Sequence, residues 1–144
     1  MDNIQWMYGH EPKSLPDEWK KRIQTMFLSE TGEEYSLQSI SDLMIPEWAG
    51  NMLLIDQKLY PAPESLLGLL WALPYETHGV RIAAFVLDAK HQSCGWGDKA
   101  WNHLVEISQM EGKITIQLEV KAENVRAQEF YKVRGLKVIR HLEN

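Results

Sequence analysis

Cysteine is almost absent from this chain. A single residue, Cys94, among 144 excludes an internal disulfide and is too little for a cysteine-based metal site. No stretch approaches the eighteen or so consecutive apolar residues that a helical membrane span requires. Met1-Asp2-Asn3 has neither the basic start nor the apolar run of a signal peptide, so the expected compartment is the cytoplasm. Basic charge is also scarce. The net charge is −5, and a nucleic-acid binder would be expected to carry a basic face, so neither a nucleic acid nor a membrane is an expected partner. His78, His91 and His103 form no ligand spacing with any acid, and no metal is expected.

The remainder is the make-up of an ordinary globular domain, 44% hydrophobic and 24% charged. The length suits one domain, long enough to bury roughly two thirds of the surface its unfolded form exposes. No repeat or linker divides it, and residues 1–144 are read as a single unit. The charge is uneven. Residues 1–70 hold 11 acidic and 5 basic side chains, and residues 71–144 hold 9 and 10. An acidic first half can attract a cation while a near-neutral second half tolerates an anion; solvated helix faces give the same pattern.

Ile4–Tyr8 reads as a short strand. Pro16 and Asp17 open a helix with Trp19, Ile23, Met26 and Phe27 at helical spacing and Gly32 as its stop. The polar segment between this helix and the next holds the acidic run Glu30–Glu34, a weak pointer to a cationic ligand. A second helix is expected over Leu37–Ile45. Strands follow at Asn51–Asp56, Leu66–Leu73 and Val80–Leu87. The last two are near-continuous apolar runs, as in strands covered on both faces, and Glu76–Gly79 reads as the hairpin turn between them. A helix over Asp98–Glu111, an alternating strand over Ile114–Val120, a helix over Val125–Arg134 and a strand over Leu136–Leu142 complete the order. This predicts an α+β fold, a mixed and mostly antiparallel sheet flanked by helices, with a right-handed strand–helix–strand crossover.

Gln92-Ser93-Cys94-Gly95-Trp96-Gly97 joins the fourth strand to a helix N-terminus. The first amides of a helix have no internal acceptor, and the peptide dipoles leave roughly half a positive charge there. Two glycines let the chain curl so that successive N–H groups converge on one anion. A glycine-bearing turn that binds nothing has the same local sequence, so context must decide. A dinucleotide-binding fingerprint needs a third glycine and an acid about 20 residues on, and neither is present.

With Gln92, Gly95 and Gly97 in the pattern [Gln/Arg]-x-x-Gly-x-[Gly/Ala], the sequence resembles the GNAT superfamily of N-acetyltransferases. A second block of that family follows the fifth strand and is matched by Leu118-Glu119-Val120, Asn124, Ala127, Tyr131, Gly135 and Leu136. The resemblance covers residues 51–142 well and the first 50 by helix order only. It implies a cofactor-binding core over 51–142 and an acceptor-side helical region over 1–50. It further implies transfer of an acetyl group from acetyl-CoA to a primary amine.

Residue by residue, the resemblance puts the pyrophosphate of acetyl-CoA on the amides of Ser93, Cys94, Gly95, Trp96, Gly97 and Asp98, with Gln92 opening the motif. The pantetheine arm and acyl carbonyl fall to Phe85, Val86 and Leu87, where the fourth strand splays from the fifth, usually through a bulge. Asn124 becomes a pantetheine ligand and is also a natural N-cap. Tyr131 becomes the acid that protonates the departing thiolate, or a packing residue on its helix. Glu119 becomes the general base, or a solvent-facing strand residue. Base demand depends on the acceptor. A lysine amine is about one part in a thousand neutral at pH 7.4, whereas an α-amine near pKa 8 costs under about 1 kcal/mol to deprotonate. Asp98 faces the same anion as the amides, and turning its carboxylate onto the helix's own N–H groups would keep it clear. Cys94 reads as a small filler.

The chain departs from the family at its end. The usual seventh strand is expected to be lacking, which would leave an open edge at Lys137–Leu142 as a template for a second copy. A homodimer is the expectation, which a monomer by light scattering at micromolar concentration would remove. The long loop through Pro61 and Pro63 is expected to shape the acceptor cleft. A non-catalytic acyl-CoA-binding domain would keep Gly95, Gly97 and Asn124 but need neither Glu119 nor Tyr131. The presence of both favours an enzyme. The acceptor, a small molecule or a peptide, is not encoded in these motifs.

Overall fold

In the computed structural model, which describes residues 3–139, the chain runs β1 (Ile4–His10), α1 (Asp17–Thr31), α2 (Leu37–Ser41), β2 (Trp48–Asp56), β3 (Leu66–Tyr75), β4 (Gly79–Leu87), α3 (Trp96–Met110), β5 (Thr115–Gln117) and α4 (Val125–Lys132). The five strands lie in the order β1-β2-β3-β4-β5. The first three pairings are antiparallel and β4–β5 is parallel. The fold is thus mixed α+β, a largely antiparallel sheet flanked by helices.

Alternation along β2 and β3 explains their unbroken apolar runs. Leu53, Ile55, Leu69 and Trp71 face a core shared with Trp19, Ile23, Met26 and Phe27 of α1 and Ile40 of α2. Met52, Leu54, Leu70 and Ala72 face the opposite way, onto Ala100 and Leu104 of α3 and Tyr131 of α4. A strand buried on both faces has no polar face to alternate. Acids at Asp17 and Glu18 sit in the first turn of α1, and Gly32 ends it in the left-handed region at φ 74°.

Several expected boundaries shift. The second helix stops at Ser41 instead of Ile45. A Ser36–Ser39 capping box starts it and Asp42 caps its end, while Pro46 disfavours helix just upstream; Ile45 is buried without being helical. The helix expected from Asp98 starts two residues earlier, because Gly95 takes φ 90° and serves as its N-cap. The expected strand Ile114–Val120 pairs only over Thr115–Gln117. Its one neighbour among the described residues, β4, bulges just beyond that point, where Trp71 opposes Ala84 and Ala72 opposes Ile82 so that Ala83 is the extra residue. Leu118 and Val120 still pack against the α3–α4 core, so their alternation marks burial and not a ladder. The expected final strand, Leu136–Leu142, is not one over residues 136–139. The amide of Leu136 bonds back to the Tyr131 carbonyl at 3.1 Å, and Val138 and Ile139 are exposed. Residues 140–142, and with them half of the expected dimer edge, lie outside the described residues. Among the described residues no helix is long and apolar enough to cross a membrane.

At the end of β1, His10 accepts a hydrogen bond at Nε2 from the Trp71 indole N–H, at 2.7 Å. Burial holds the imidazole neutral by lowering its pKa from 6.5 to about 4. The unfolded chain then binds this proton at a higher pH than the folded one. Stability contributed by the neutral ring is complete above pH 6.5 and is lost as pH falls toward 4, at most about 3 kcal/mol. Unfolding of the wild type and of His10→Gln, followed by denaturant titration between pH 7 and pH 4, checks this. The wild type is expected to show the steeper fall, and parallel curves would contradict the assignment.

Candidate active site

The cleft is opened by the short β4–β5 ladder. Pairing ends at Arg81 with Gln117, so Ile82–Leu87 have no strand beside them on that edge, while Ala84–Leu87 pair with β3 on the other. The N–H groups of this stretch that point away from β3 are free of a ladder partner. The space beyond is a cavity of about 330 Å³, walled by Phe85, Val86 and Leu87 of β4, by the turn before α3, and by Asn124, Ala127, Phe130 and Tyr131.

The turn itself is built to present amides. Ser93 and Gly95 both take positive φ, 61° and 90°. A left-handed conformation at a serine costs of order 1 kcal/mol and is held only where the surroundings fix it. Among the described residues none of the amides of Ser93, Cys94, Gly95, Trp96, Gly97 or Asp98 has an acceptor, and no side chain caps α3. Space at Gly97 is tight: a Cβ there would lie 3.0 Å from the Phe130 ring, which would have to give by a few tenths of an ångström. That ring in turn meets Phe85 edge-on at 5.5 Å, so the turn, β4 and α4 close on one another.

The predicted residues are not all brought to the cavity. Phe85, Val86, Leu87, Gln92, Ser93, Gly95, Gly97, Asp98, Asn124 and Tyr131 line it; Cys94, Trp96 and Glu119 do not. Cys94 is exposed. Trp96 packs half-buried against the α3–α4 core, with Lys99 Nζ 4.7 Å from its ring, and its carbonyl accepts the Trp6 indole N–H at 3.1 Å. Gln92 donates to the Leu87 carbonyl at 2.8 Å and to Glu30 at 2.9 Å, tying the turn to β4 and α1. This also commits one carboxylate of the acidic run. Glu33 accepts from the Tyr35 hydroxyl. The loop through Pro61 does not line this cavity; its carbonyl accepts from the indole of Trp19 on α1 at 3.1 Å.

Asn124 is the N-cap of α4, its Oδ1 accepting from the Ala127 amide at 3.1 Å, which leaves its Nδ2 available. Tyr131 is 7% exposed and flanked edge-on by Trp101 and Phe130. Burial pushes its phenol above the usual range, and among the described residues its hydroxyl has no hydrogen-bond partner. Such a group stays protonated at neutral pH and so has a proton to donate. Glu119 stands past the end of β5, half-exposed, with Oε1 3.3 Å from Arg81 Nη2. Asp98 does not cap its own helix; its carboxylate pairs with Arg134. Among the described residues no group of three His, Cys, Asp or Glu side chains could hold a metal ion.

Sequence reasoning missed Phe130, Arg126 and Arg134 on the cavity wall. Phe130 carried a signal, since it lies at helical spacing from Ala127. The two arginines carried none, because their importance rests on what they face across the cleft.

No curated protein sequence matches the chain. Solved structures do match in fold. Ard1 from Thermoplasma volcanium superposes with a TM-score of 0.76 at 19% identity, over 96% of this chain and 85% of that one. The ribosomal-protein-S18-alanine N-acetyltransferase from Escherichia coli gives 0.69 at 15%, over 92% and 76%. Arabidopsis thaliana Naa50, in complex with the bisubstrate analogue CoA-Ac-MVNAL, gives 0.67 at 15%, over 96% and 85%. The sequence profile of the acetyltransferase (GNAT) family matches residues 16–136, and the chain belongs to that family.

Proposed function

We propose that this protein is an N-acetyltransferase that moves an acetyl group from acetyl-CoA directly to a primary amine, in the cytoplasm. The observation that carries the reading is the run of six unpartnered amides, Ser93–Asp98, beside a cavity that Tyr131 also lines. A diphosphate fits those donors by charge and geometry, because a helix N-terminus favours an anion and the two positive-φ residues turn successive N–H groups inward. Naa50 with its CoA-containing analogue supports a CoA-type cosubstrate for this fold.

With the diphosphate on the turn, the pantetheine arm runs between β4 and α4, beside Asn124, and the thioester reaches the free edge of β4. There the amides of Phe85–Leu87 that point into the cleft stabilise the oxyanion formed when the amine attacks the carbonyl. Collapse forms the amide and breaks the carbon–sulfur bond. Tyr131 then supplies a proton to the departing thiolate. A thiol of pKa near 8.5 is already a fair leaving group, so holding the reactants together contributes more than this acid does. Glu119, across the opened ladder from the Ala83 bulge, takes the amine's proton through a water. A non-catalytic acyl-CoA-binding role is the second reading, favoured by the engagement of Glu119 with Arg81 and its absence from the cavity wall.

Release of free CoA thiol from acetyl-CoA across a panel of amines separates the two readings. The enzyme is expected to release thiol with at least one acceptor, and a domain that binds CoA without release would leave the second reading. Tyr131→Phe is expected to lower turnover about tenfold while CoA affinity stays within about twofold; lost binding would make Tyr131 structural. For Glu119→Gln, the rate deficit should grow from pH 9 to pH 6, reaching about tenfold or more at the acid end. A deficit independent of pH would remove Glu119 as the base.

A further inference from the structure

Arg134 lies just past α4, where the helix's C-terminal dipole favours a cation. Its guanidinium sits 3.5 Å over the Phe130 ring, and Nη1 donates to the Phe130 carbonyl at 2.8 Å. Nη2 pairs with Asp98, the third residue of α3. Both partners line the cavity, but unequally: the arginine side chain is 15% exposed and the aspartate 64%. The cation is therefore fixed by stacking and a main-chain bond, whereas the anion it holds is loosely placed and faces solvent.

This pair spans the same helix mouth that presents the six free amides. A carboxylate in the first turn of α3 is an internal anion resting where an external one would bind. A bidentate guanidinium is suited to phosphate oxygens, and Arg134 has N–H donors beyond the two already in use. Charge favours the exchange, since a diphosphate carries more negative charge than one carboxylate. Arg126, on the same wall, adds a second cation.

We propose that Arg134 is a ligand of the cofactor's diphosphate, and that Asp98 holds its guanidinium ready and gives up the ion pair when the diphosphate arrives. The inference rests on the acyl-CoA reading and adds to it a named cation and its built-in competitor. Asp98 then sets the affinity of the site downward, which promotes release of CoA after transfer.

Calorimetric titration of the full chain with CoA and with dephospho-CoA tests this in the wild type, Arg134→Gln, Arg134→Lys and Asp98→Asn. Arg134→Gln is expected to weaken both ligands about 10- to 100-fold, with partial recovery in Arg134→Lys. Asp98→Asn is expected to tighten both about 3- to 10-fold. Both variants break the same ion pair, so a merely structural role moves affinity in one direction for the two; opposite directions identify ligand and competitor. Affinities unchanged in both variants, or weakened in both, would overturn the proposal. A deficit seen with CoA and absent with dephospho-CoA would move Arg134 to the 3′-phosphate and overturn the diphosphate assignment. A wild type that takes neither ligand would remove the cofactor reading itself.

Discussion

Six consecutive main-chain amides without protein acceptors gather at one helix mouth: three are the first-turn amides that every helix leaves open, and the turn before them adds three more. In this chain they fall at Ser93–Asp98, and the neighbouring structure is organised around keeping them free. The left-handed conformations of Ser93 and Gly95 aim them. Gln92 fastens the turn to β4 and α1, and the contact of Gly97 with Phe130 sets how closely α4 can approach. Their electrostatic demand for an anion gives the cleft its direction.

The cleft itself comes from an interrupted ladder. A parallel partner that reached the end of β4 would consume the amides of Phe85–Leu87. The bulge at Ala83 prevents that by ending register with β5 at Arg81. α4 then fills the far wall, with Tyr131 buried in its last turn and Arg134 just past it, paired with Asp98 at the mouth of α3. In the proposed mechanism, phosphate recognition and leaving-group chemistry thus sit three residues apart at the C-terminal end of one short helix, which couples cofactor position to the reacting bond.

Much of this frame was legible in the sequence, and the reasons differ by element. Pro16 and Gly32 bracket α1 because their backbone preferences are local. The two-sided burial of β3 shows directly in Leu66–Leu73, and the glycine pattern at 92–97 marks the turn because only glycine adopts φ near +90° cheaply. Legibility failed where a non-local partner decides. Ile114–Val120 alternates like a strand, yet its length as a ladder depends on a bulge in β4. Leu136–Ile139 looks equally strand-like and turns back onto Tyr131. Asp98 reads as a cap until Arg134, 36 positions on, takes its carboxylate. His10 and Trp71 meet 61 positions apart, with nothing in either segment to announce it.

The central claim is that the free amides of one turn bind a diphosphate. Two-dimensional amide NMR of the uniformly labelled protein, titrated with CoA, tests it residue by residue. The largest shifts are expected on Ser93–Asp98, with smaller ones along Phe85–Leu87. Saturating CoA with those six amides unmoved, or with the main changes on another face of the sheet, would contradict it.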